Sequence, residues 1–246
     1  MSTLLLINPN TTRSITDLVL KHAARFAAED TTLRGVTAAF GPRVVASRAG
    51  YAIAGHAGLD ALANDKRPHD AVVLACFGDP GLAALKEASP VPVVGMAEAS
   101  ILRAAAMGKR FSIVTGGARW KPMLEEFVAS QGLGARLASV RTVAPTGVDI
   151  ARKPGAALAM LARSCAACVK DGADVVILGG AGLAGLAEEL GHKVDVPLLD
   201  SVACAVAMAE VLAARQRKQR RGQRTDAARP PVGSVGLSPA LARLLL

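Results

Sequence analysis

Cys76 is the residue whose type and setting most suggest chemistry. It closes the apolar run VVLAC and is followed by Phe77-Gly78-Asp79-Pro80. In that turn Asp79 reads as a helix N-cap and Pro80 as the first helical residue. A thiol just ahead of a helix N-terminus gains from the macrodipole and nearby amides, so its pKa is expected below about 8.5. Cys76 is therefore expected to be the most reactive thiol of the chain. The other cysteines have the pattern of small buried hydrophobes. Cys165 and Cys168 form a C-x-x-C inside LARSCAACVK, in mid-helix, where a redox pair belongs at a helix start; Cys204 lies in the apolar SVACAVAMAE. A lone pair of cysteines cannot complete a zinc site. His22, His56, His69 and His192 are scattered without metal spacing, so no metal is expected. His56, in AIAGHAGLDAL, is expected at a helix start near the site, in a surface or capping role.

Two further turns have the composition of ligand-binding loops. Asn8-Pro9-Asn10-Thr11-Thr12 follows an apolar run and precedes a helical stretch. There side-chain oxygens either cap the helix or leave backbone N–H groups free for an anion. Thr115-Gly116-Gly117 occupies the corresponding place later in the chain, glycine-rich so that a ligand oxygen can approach the backbone. A third turn, Gly180-x-Gly182-x-x-Gly185 with Asp200 twenty residues on, has the form of a dinucleotide fingerprint. Against that reading, the corresponding first-half turn carries a cysteine, and Pro197 interrupts the entry to the acidic strand.

The elements that must hold these turns alternate along the chain. Short β-branched and leucine-rich runs are expected as strands at 3–8, 33–40, 71–76, 91–95, 111–115, 137–143, 174–179 and 196–199. Alanine-rich helices fill 12–28, 56–64, 80–88, 97–107, 119–131, 154–171 and 201–214. The alternation predicts an α/β fold with parallel sheets and ligands at the carboxyl ends of the strands. The strand-to-turn blocks also repeat. VVLACFG at 72–78 matches VILGGAG at 176–182, VPVVGMAEA at 91–99 matches VPLLDSVAC at 196–204, and LLINPN at 5–10 matches SIVTGG at 112–117, at offsets of 104, 105 and 107 residues. Two similar α/β units facing each other follow, one formed by 1–97 plus 208–246 and the other by 98–207. Cys76 would then confront Gly180 across one cleft.

Composition narrows the class. The chain has 246 residues, 51% hydrophobic and 20% charged, which excludes a disordered polymer. Aromatics are 3%, too few for base-stacking platforms. Of the net charge of +9, six units lie in 215–229, where Arg215, Arg217, Lys218, Arg220, Arg221, Arg224 and Arg229 face only Asp226. Such a run is expected as an exposed, solvated arm, not a nucleic-acid site. The start MSTLLLINPNTT lacks a basic n-region, and no apolar run reaches membrane-span length. A soluble cytoplasmic protein with reduced thiols and no membrane or nucleic-acid partner is the expectation.

INPNTT, ACFGDPGL, VPVVGMAEA and LGGAGLAGL together resemble the aspartate/glutamate/hydantoin racemase superfamily, most of all its hydantoin and allantoin racemase branch. The resemblance runs from about residue 3 to 212, and the closing GLSPALARLL is also similar to that branch. It implies two flavodoxin-like units related by a pseudo-twofold, with the active site between them. It further implies a cofactor-independent isomerase, a hydantoin, allantoin-like or amino-acid-like substrate, and a homo-oligomer. Two cysteines of that family flank the stereogenic carbon, one thiolate removing the α-proton while the opposite thiol delivers another. By this resemblance Cys76 is the acid/base. Asn8, Asn10, Thr11, Thr115, Gly116, Gly117 and the amides around Phe77-Gly78 and Ala181-Gly182 would hold the carbonyl or carboxylate end. The chain departs from the pattern at Gly180, where the family's second cysteine would stand. Arylmalonate decarboxylases, in the same superfamily, also keep one thiol, but on the opposite half. Tyr51 resembles the position of an oxyanion-binding tyrosine in those decarboxylases, and a packing role is the alternative. Three readings follow: a racemase with a substitute for the second acid, a one-thiol lyase, decarboxylase or isomerase, and a non-catalytic binding relative.

Overall fold

Two four-stranded parallel sheets carry the chain, and their strand orders are the same. The computed structural model describes residues 1–220 and 233–245. The first half runs β1 (Ser2–Asn8), α1 (Arg13–Phe26), β2 (Thr31–Thr37), α2 (Arg48–Asn64), β3 (Ala71–Leu74), α3 (Leu82–Ala88), β4 (Val93–Gly95) and α4 (Met96–Met107). The second half runs β5 (Phe111–Gly116), α5 (Trp120–Ser130), β6 (Leu137–Val143), α6 (Gly147–Arg152), α7 (Pro154–Lys170), β7 (Val175–Gly179), α8 (Leu186–Leu190), β8 (Leu198–Asp200) and α9 (Ser201–Arg220), with α10 (Pro239–Ala242) beyond. Strand order is β2-β1-β3-β4 in one sheet and β6-β5-β7-β8 in the other. In each sheet the chain turns outward on opposite sides of the central pair, so the crevice between β1 and β3, and between β5 and β7, is a topological switch point.

The strands are continuous apolar runs because helices cover both of their faces. Leu4, Leu5, Ile7, Val72 and Leu74 are wholly buried, as are Phe111, Ile113, Val114, Val176 and Ile177. One cluster joins the two halves. Leu4, Leu6, Val73 and Val94 of the first sheet pack with Phe111, Ile113, Val175 and Ile177 of the second through Ile101 and Ala104 of α4 and Val202, Ala205 and Ala209 of α9. The sheets therefore hold each other through shared helices, and the turns at their switch points are placed with the rigidity of a core. The domain boundaries expected near residues 97 and 208 fall inside α4 and α9.

The eight expected strands and seven expected helices are all present, with three corrections of substance. Asp79 does not cap the helix that follows it. α3 begins only at Leu82, preceded by Gly81 in the left-handed region, and the Asp79 carboxylate instead accepts from Ala97 N at 2.9 Å and Glu98 N at 2.7 Å, at the start of α4. His56 does not start a helix; it sits exposed within α2, edge-on to Phe40 with ring centroids 4.9 Å apart. The basic arm is helical at its start, as α9 continues through Arg220. Gln216 donates to Pro90 O, and Arg217 to Met1 O and Ser2 Oγ; the remainder of that arm, 221–229, lies outside the described residues. No helix among the described residues is long and apolar enough to cross a membrane.

Candidate active site

A cavity of about 360 Å³ opens between the two switch points. Cys76 and Phe77 line it from the first half, and Thr115, Gly116, Gly117, Gly180, Ala181 and Gly182 from the second. Asn10 reaches it beside them. The sequence repeat thus brings Cys76 and Gly180 to one space. Four expected residues are not on its wall. These are Asn8, Thr11, Tyr51 and Gly78.

The INPNTT turn is bonded largely to itself. Asn8 Nδ2 donates to Asn10 Oδ1, Thr12 O and Thr16 Oγ1. Asn10 N donates to Asn8 Oδ1, Thr12 N to Asn10 Oδ1, and Thr11 N to Pro42 O. The amides of Asn10, Thr11 and Thr12 are thereby consumed in holding the turn. No side chain caps α1. Asn10 lines the cavity, its Oδ1 accepts from Asn8 Nδ2 and Thr12 N, and its Nδ2 makes no hydrogen bond among the described residues.

The Cys76 turn is held from three sides. Asp79, 1% exposed, has φ 56°, the one left-handed non-glycine among the described residues, and its two accepted N–H bonds secure that strained geometry. Gly95 allows the approach, since a Cβ there would lie 2.1 Å from Asp79 Oδ2. Tyr51 donates to Gly78 O at 2.7 Å and to Asp79 O at 3.2 Å. Its hydroxyl thus donates to the backbone of the Cys76 turn, and Tyr51 does not line the cavity. Burial, with the charges of Asp79 and Cys76 nearby, pushes that hydroxyl up to about 12. Gly78, at φ +100°, lies against the Trp120 ring of the other half; a Cβ there would meet it at 2.5 Å.

The electrostatics of Cys76 run opposite to the sequence expectation. Burial first, and the Asp79 carboxylate second, push its thiol up to about 12. The reason is structural: α3 starts too late for its N-terminus to serve the sulfur, and an acidic group faces it instead. Asp79 is itself pushed up to about 7 by burial, against the lowering effect of its bonds to Ala97 and Glu98. The thiol form therefore prevails at neutral pH, and the thiolate is the minor, reactive fraction. Cys165 and Cys168 are fully buried in the packing of α7 as expected, while Cys204 is half-buried on a groove beside α4 and α9. Burial pushes Cys204 up to about 11.

The second-half turn has the same design with its parts exchanged. Asp200 accepts from Gly185 N at 2.7 Å and from Val202 N and Ala203 N, so it ties the β7 turn to the start of α9 as Asp79 ties the β3 turn to α4. This is the role of the Asp200 in the fingerprint-like spacing. Gly180 has φ 135° and ψ 139°, and its N–H donates to Ser201 Oγ at 3.3 Å. The N–H groups of Phe77, Ala181 and Gly182, three residues that line the cavity, make no hydrogen bond among the described residues.

The sequence reading missed much of the wall. Val44, Val45 and Ala46 come from the β2–α2 connection; Ala144, Thr146, Gly147 and Val148 come from the β6–α6 turn; Trp120 begins α5. Thr146 and Asp149 form a capping box, a T-x-x-D signal legible in the sequence. The apolar 44–46 segment carries no such signal. Among the described residues Arg119 is the one charged residue on the wall, and it is exposed.

The family model described as Asp/Glu/Hydantoin racemase matches residues 4–209. The hydantoin racemase of Pseudomonas sp. strain NS671 is 38% identical over 210 residues, 84% of each chain. The hydantoin racemase of Paenarthrobacter aurescens is 36% identical, covering 86% of this chain and 91% of its own. The crystal structure of allantoin racemase from Pseudomonas fluorescens superposes with a TM-score of 0.83 at 34% identity, covering 87% of this chain and 92% of that one.

Proposed function

Because the chain belongs to the Asp/Glu/hydantoin racemase family, we propose that it is an isomerase that inverts the stereocentre of a hydantoin-like cyclic carbon acid, with Cys76 working one face. The observation that carries the choice of substrate is the near-absence of charge on the cavity wall. A free amino acid brings a carboxylate and an ammonium group, and burying either without a partner costs several kcal/mol. Among the described residues the exposed Arg119 is the wall's one charge, and no acidic side chain lines it. A hydantoin ring is neutral and needs hydrogen bonds only. Asn10 Nδ2 and the N–H groups of Phe77, Ala181 and Gly182 can meet its carbonyls. Phe77, Trp120, Val44 and Val148 suit an apolar substituent at the stereocentre.

The chemistry follows from the acidity of that carbon. The Cys76 thiolate removes the proton, and the electron pair moves into the adjacent carbonyl. N–H donors aimed at the developing oxyanion stabilise it more than they stabilise the ground state. Return of a proton from the opposite face gives the other enantiomer. A positioned acid/base is worth roughly 10²–10⁴-fold. The reading requires no cofactor.

One observation favours a second reading, a one-thiol decarboxylase: Gly180 supplies no second thiol. One acid suffices to protonate an enolate made by loss of carbon dioxide. A single enantiomer of 5-benzylhydantoin incubated in D₂O, followed by NMR and polarimetry, tests the first reading. Deuterium uptake that disappears in Cys76→Ser is the expected result. No uptake across a panel of 5-substituted hydantoins overturns it, and carbon dioxide release from a malonate-type substrate with one-handed deuteration would establish the second.

A further inference from the structure

Thr115 offers a hydroxyl at the place where a second thiol would leave the backbone. A Cβ at Gly180 would lie 3.7 Å from Thr115 Oγ1 and 3.4 Å from Leu183 Cδ1, with no other contact within 4 Å beyond its chain neighbours. The space in front of Gly180 is therefore open toward the cavity, and one polar side-chain atom borders it. Thr115 is 5% exposed and lines the cavity. Its hydroxyl makes no hydrogen bond to another described residue.

The first half shows that this is not simply a strand-end habit. Asn8 is the counterpart of Thr115: it closes β1 one residue past the Ile7–Leu74 pairing, as Thr115 pairs with Gly179 just before Gly180. The Asn8 side chain is fully committed to Asn10, Thr12 and Thr16. So the half that carries the thiol locks this position into the scaffold. The half that lacks the thiol leaves a hydroxyl facing the substrate space.

We propose that Thr115 is a positioning residue for the second face: its hydroxyl holds a water in the space before Gly180, and that water exchanges the proton opposite Cys76. The inference rests on the reading of Cys76 as the first-face base. A bridging water held by a hydroxyl and a ring substituent is nearly as well bound as a direct hydrogen bond. In one turnover the Cys76 thiolate takes the proton from the stereogenic carbon, giving thiol and enolate. The enolate carbon takes a proton from the Thr115-held water, leaving hydroxide. After product departs, the hydroxide takes the Cys76 proton, restoring water and thiolate. Nothing else is consumed. Water is a far weaker acid than a thiol, so proton exchange on the Cys76 face outruns inversion.

The test uses the intact protein and the faster-exchanging enantiomer of 5-benzylhydantoin in D₂O. Chiral chromatography with mass detection separates deuteration with retention from deuteration with inversion. The parent is expected to show both, retention being faster. Thr115→Val should lower inversion about tenfold or more, with retention exchange and KM within about twofold, and Thr115→Ser should restore inversion; Thr115→Ala replaces the valine variant should it fail to fold. A hydroxyl that bound the substrate carbonyl instead would raise KM and depress both processes together, which overturns the inference. Unchanged inversion in the valine variant overturns it too. A parent that exchanges without inverting overturns it while leaving the Cys76 reading in place, and a parent that does neither removes both.

Discussion

The Phe77 ring lies on the backbone of Gly179: a Cβ on that glycine would sit 2.4 Å from Phe77 Cε1 and 2.5 Å from Cζ. The residue after the thiol thus touches the residue before Gly180, and this contact sets how far apart the two strand ends stand. Phe77 is 4% exposed and has little room to retreat.

Gly179→Ala is therefore expected to wedge the two halves apart. Overpacking of this kind costs about 1–3 kcal/mol, and misplacing a reacting group by about 1 Å can cost two decades in rate. Denaturant unfolding together with deuterium exchange checks both effects. Phe77→Leu in the same chain should recover part of the stability, because it vacates the space that the new methyl needs. Failure of the second change to recover any would mean that the alanine acts elsewhere.

Thiol acidity sets the next expectation. Cys76 is held up to about 12 and Cys204 to about 11, and Cys204 is the more exposed. Iodoacetamide at neutral pH should therefore label Cys204 before Cys76, the reverse of the order expected from the sequence alone. The thiolate fraction of Cys76 grows tenfold per pH unit below its pKa. Enzyme-dependent exchange, corrected for the uncatalysed reaction, should rise with pH by about that factor. A plateau near pH 7 would show that the free protein already holds the thiolate.

Asp79 gives stability its own pH dependence. Its folded carboxyl stands at about 7, raised from 3.8 by burial, so the fold favours the protonated form. Its contribution is full below about 4 and is lost as pH rises through about 7. Asp79→Asn should flatten this part of the melting-temperature profile between pH 4 and 8. An unchanged profile would place the titration on another group.

Tyr51 is expected to matter for the scaffold and not for substrate affinity. Tyr51→Phe removes the bonds to Gly78 O and Asp79 O, leaving the Gly78 carbonyl without a donor among the described residues while Asp79 O keeps Leu82 N, at a cost of about 1–3 kcal/mol. Exchange at Cys76 should slow while KM stays put. A rise in KM with unchanged stability would restore the oxyanion role.

These cases show which kinds of information the sequence carried. Strands, helices, their duplication and the meeting of Cys76 with Gly180 were legible, because apolar periodicity and turn composition are local signals. The partners of Asp79 were not. Its cap lies on α4, eighteen residues on, and a pattern search favours the adjacent helix. The pKa of Cys76 inverted for the same reason, since desolvation is a property of the packed cleft. Tyr51 and Asn8 look polar enough for substrate, yet neither lines the cavity: Tyr51 is bonded to the distant Gly78 and Asp79 carbonyls, and Asn8 to its neighbours Asn10, Thr12 and Thr16. Val44 to Ala46 reach the cavity through a connection whose path no local rule fixes.

Gly180→Cys puts the two-faced model to its hardest test. The space permits it, because Leu183 Cδ1 at 3.4 Å and Thr115 Oγ1 at 3.7 Å are ordinary contacts for a Cβ. The backbone resists it, because φ is +135° and a side chain there costs about 1–3 kcal/mol unless the turn relaxes. Lower stability with a folded protein is thus expected. A thiol on the vacant face is a much stronger acid than water, so inversion should rise relative to retention exchange by roughly 10²–10⁴-fold. The new side chain would also occupy the space that Thr115 borders. Adding Thr115→Val to Gly180→Cys should therefore change inversion little, whereas the same valine in the parent lowers it. Two neighbouring changes that act on one step are non-additive in this way. Equal effects of the valine in both backgrounds would mean that Thr115 and Gly180 do not serve the same face. A folded Gly180→Cys with an unchanged inversion-to-exchange ratio would mean that the two strand ends do not share one substrate carbon.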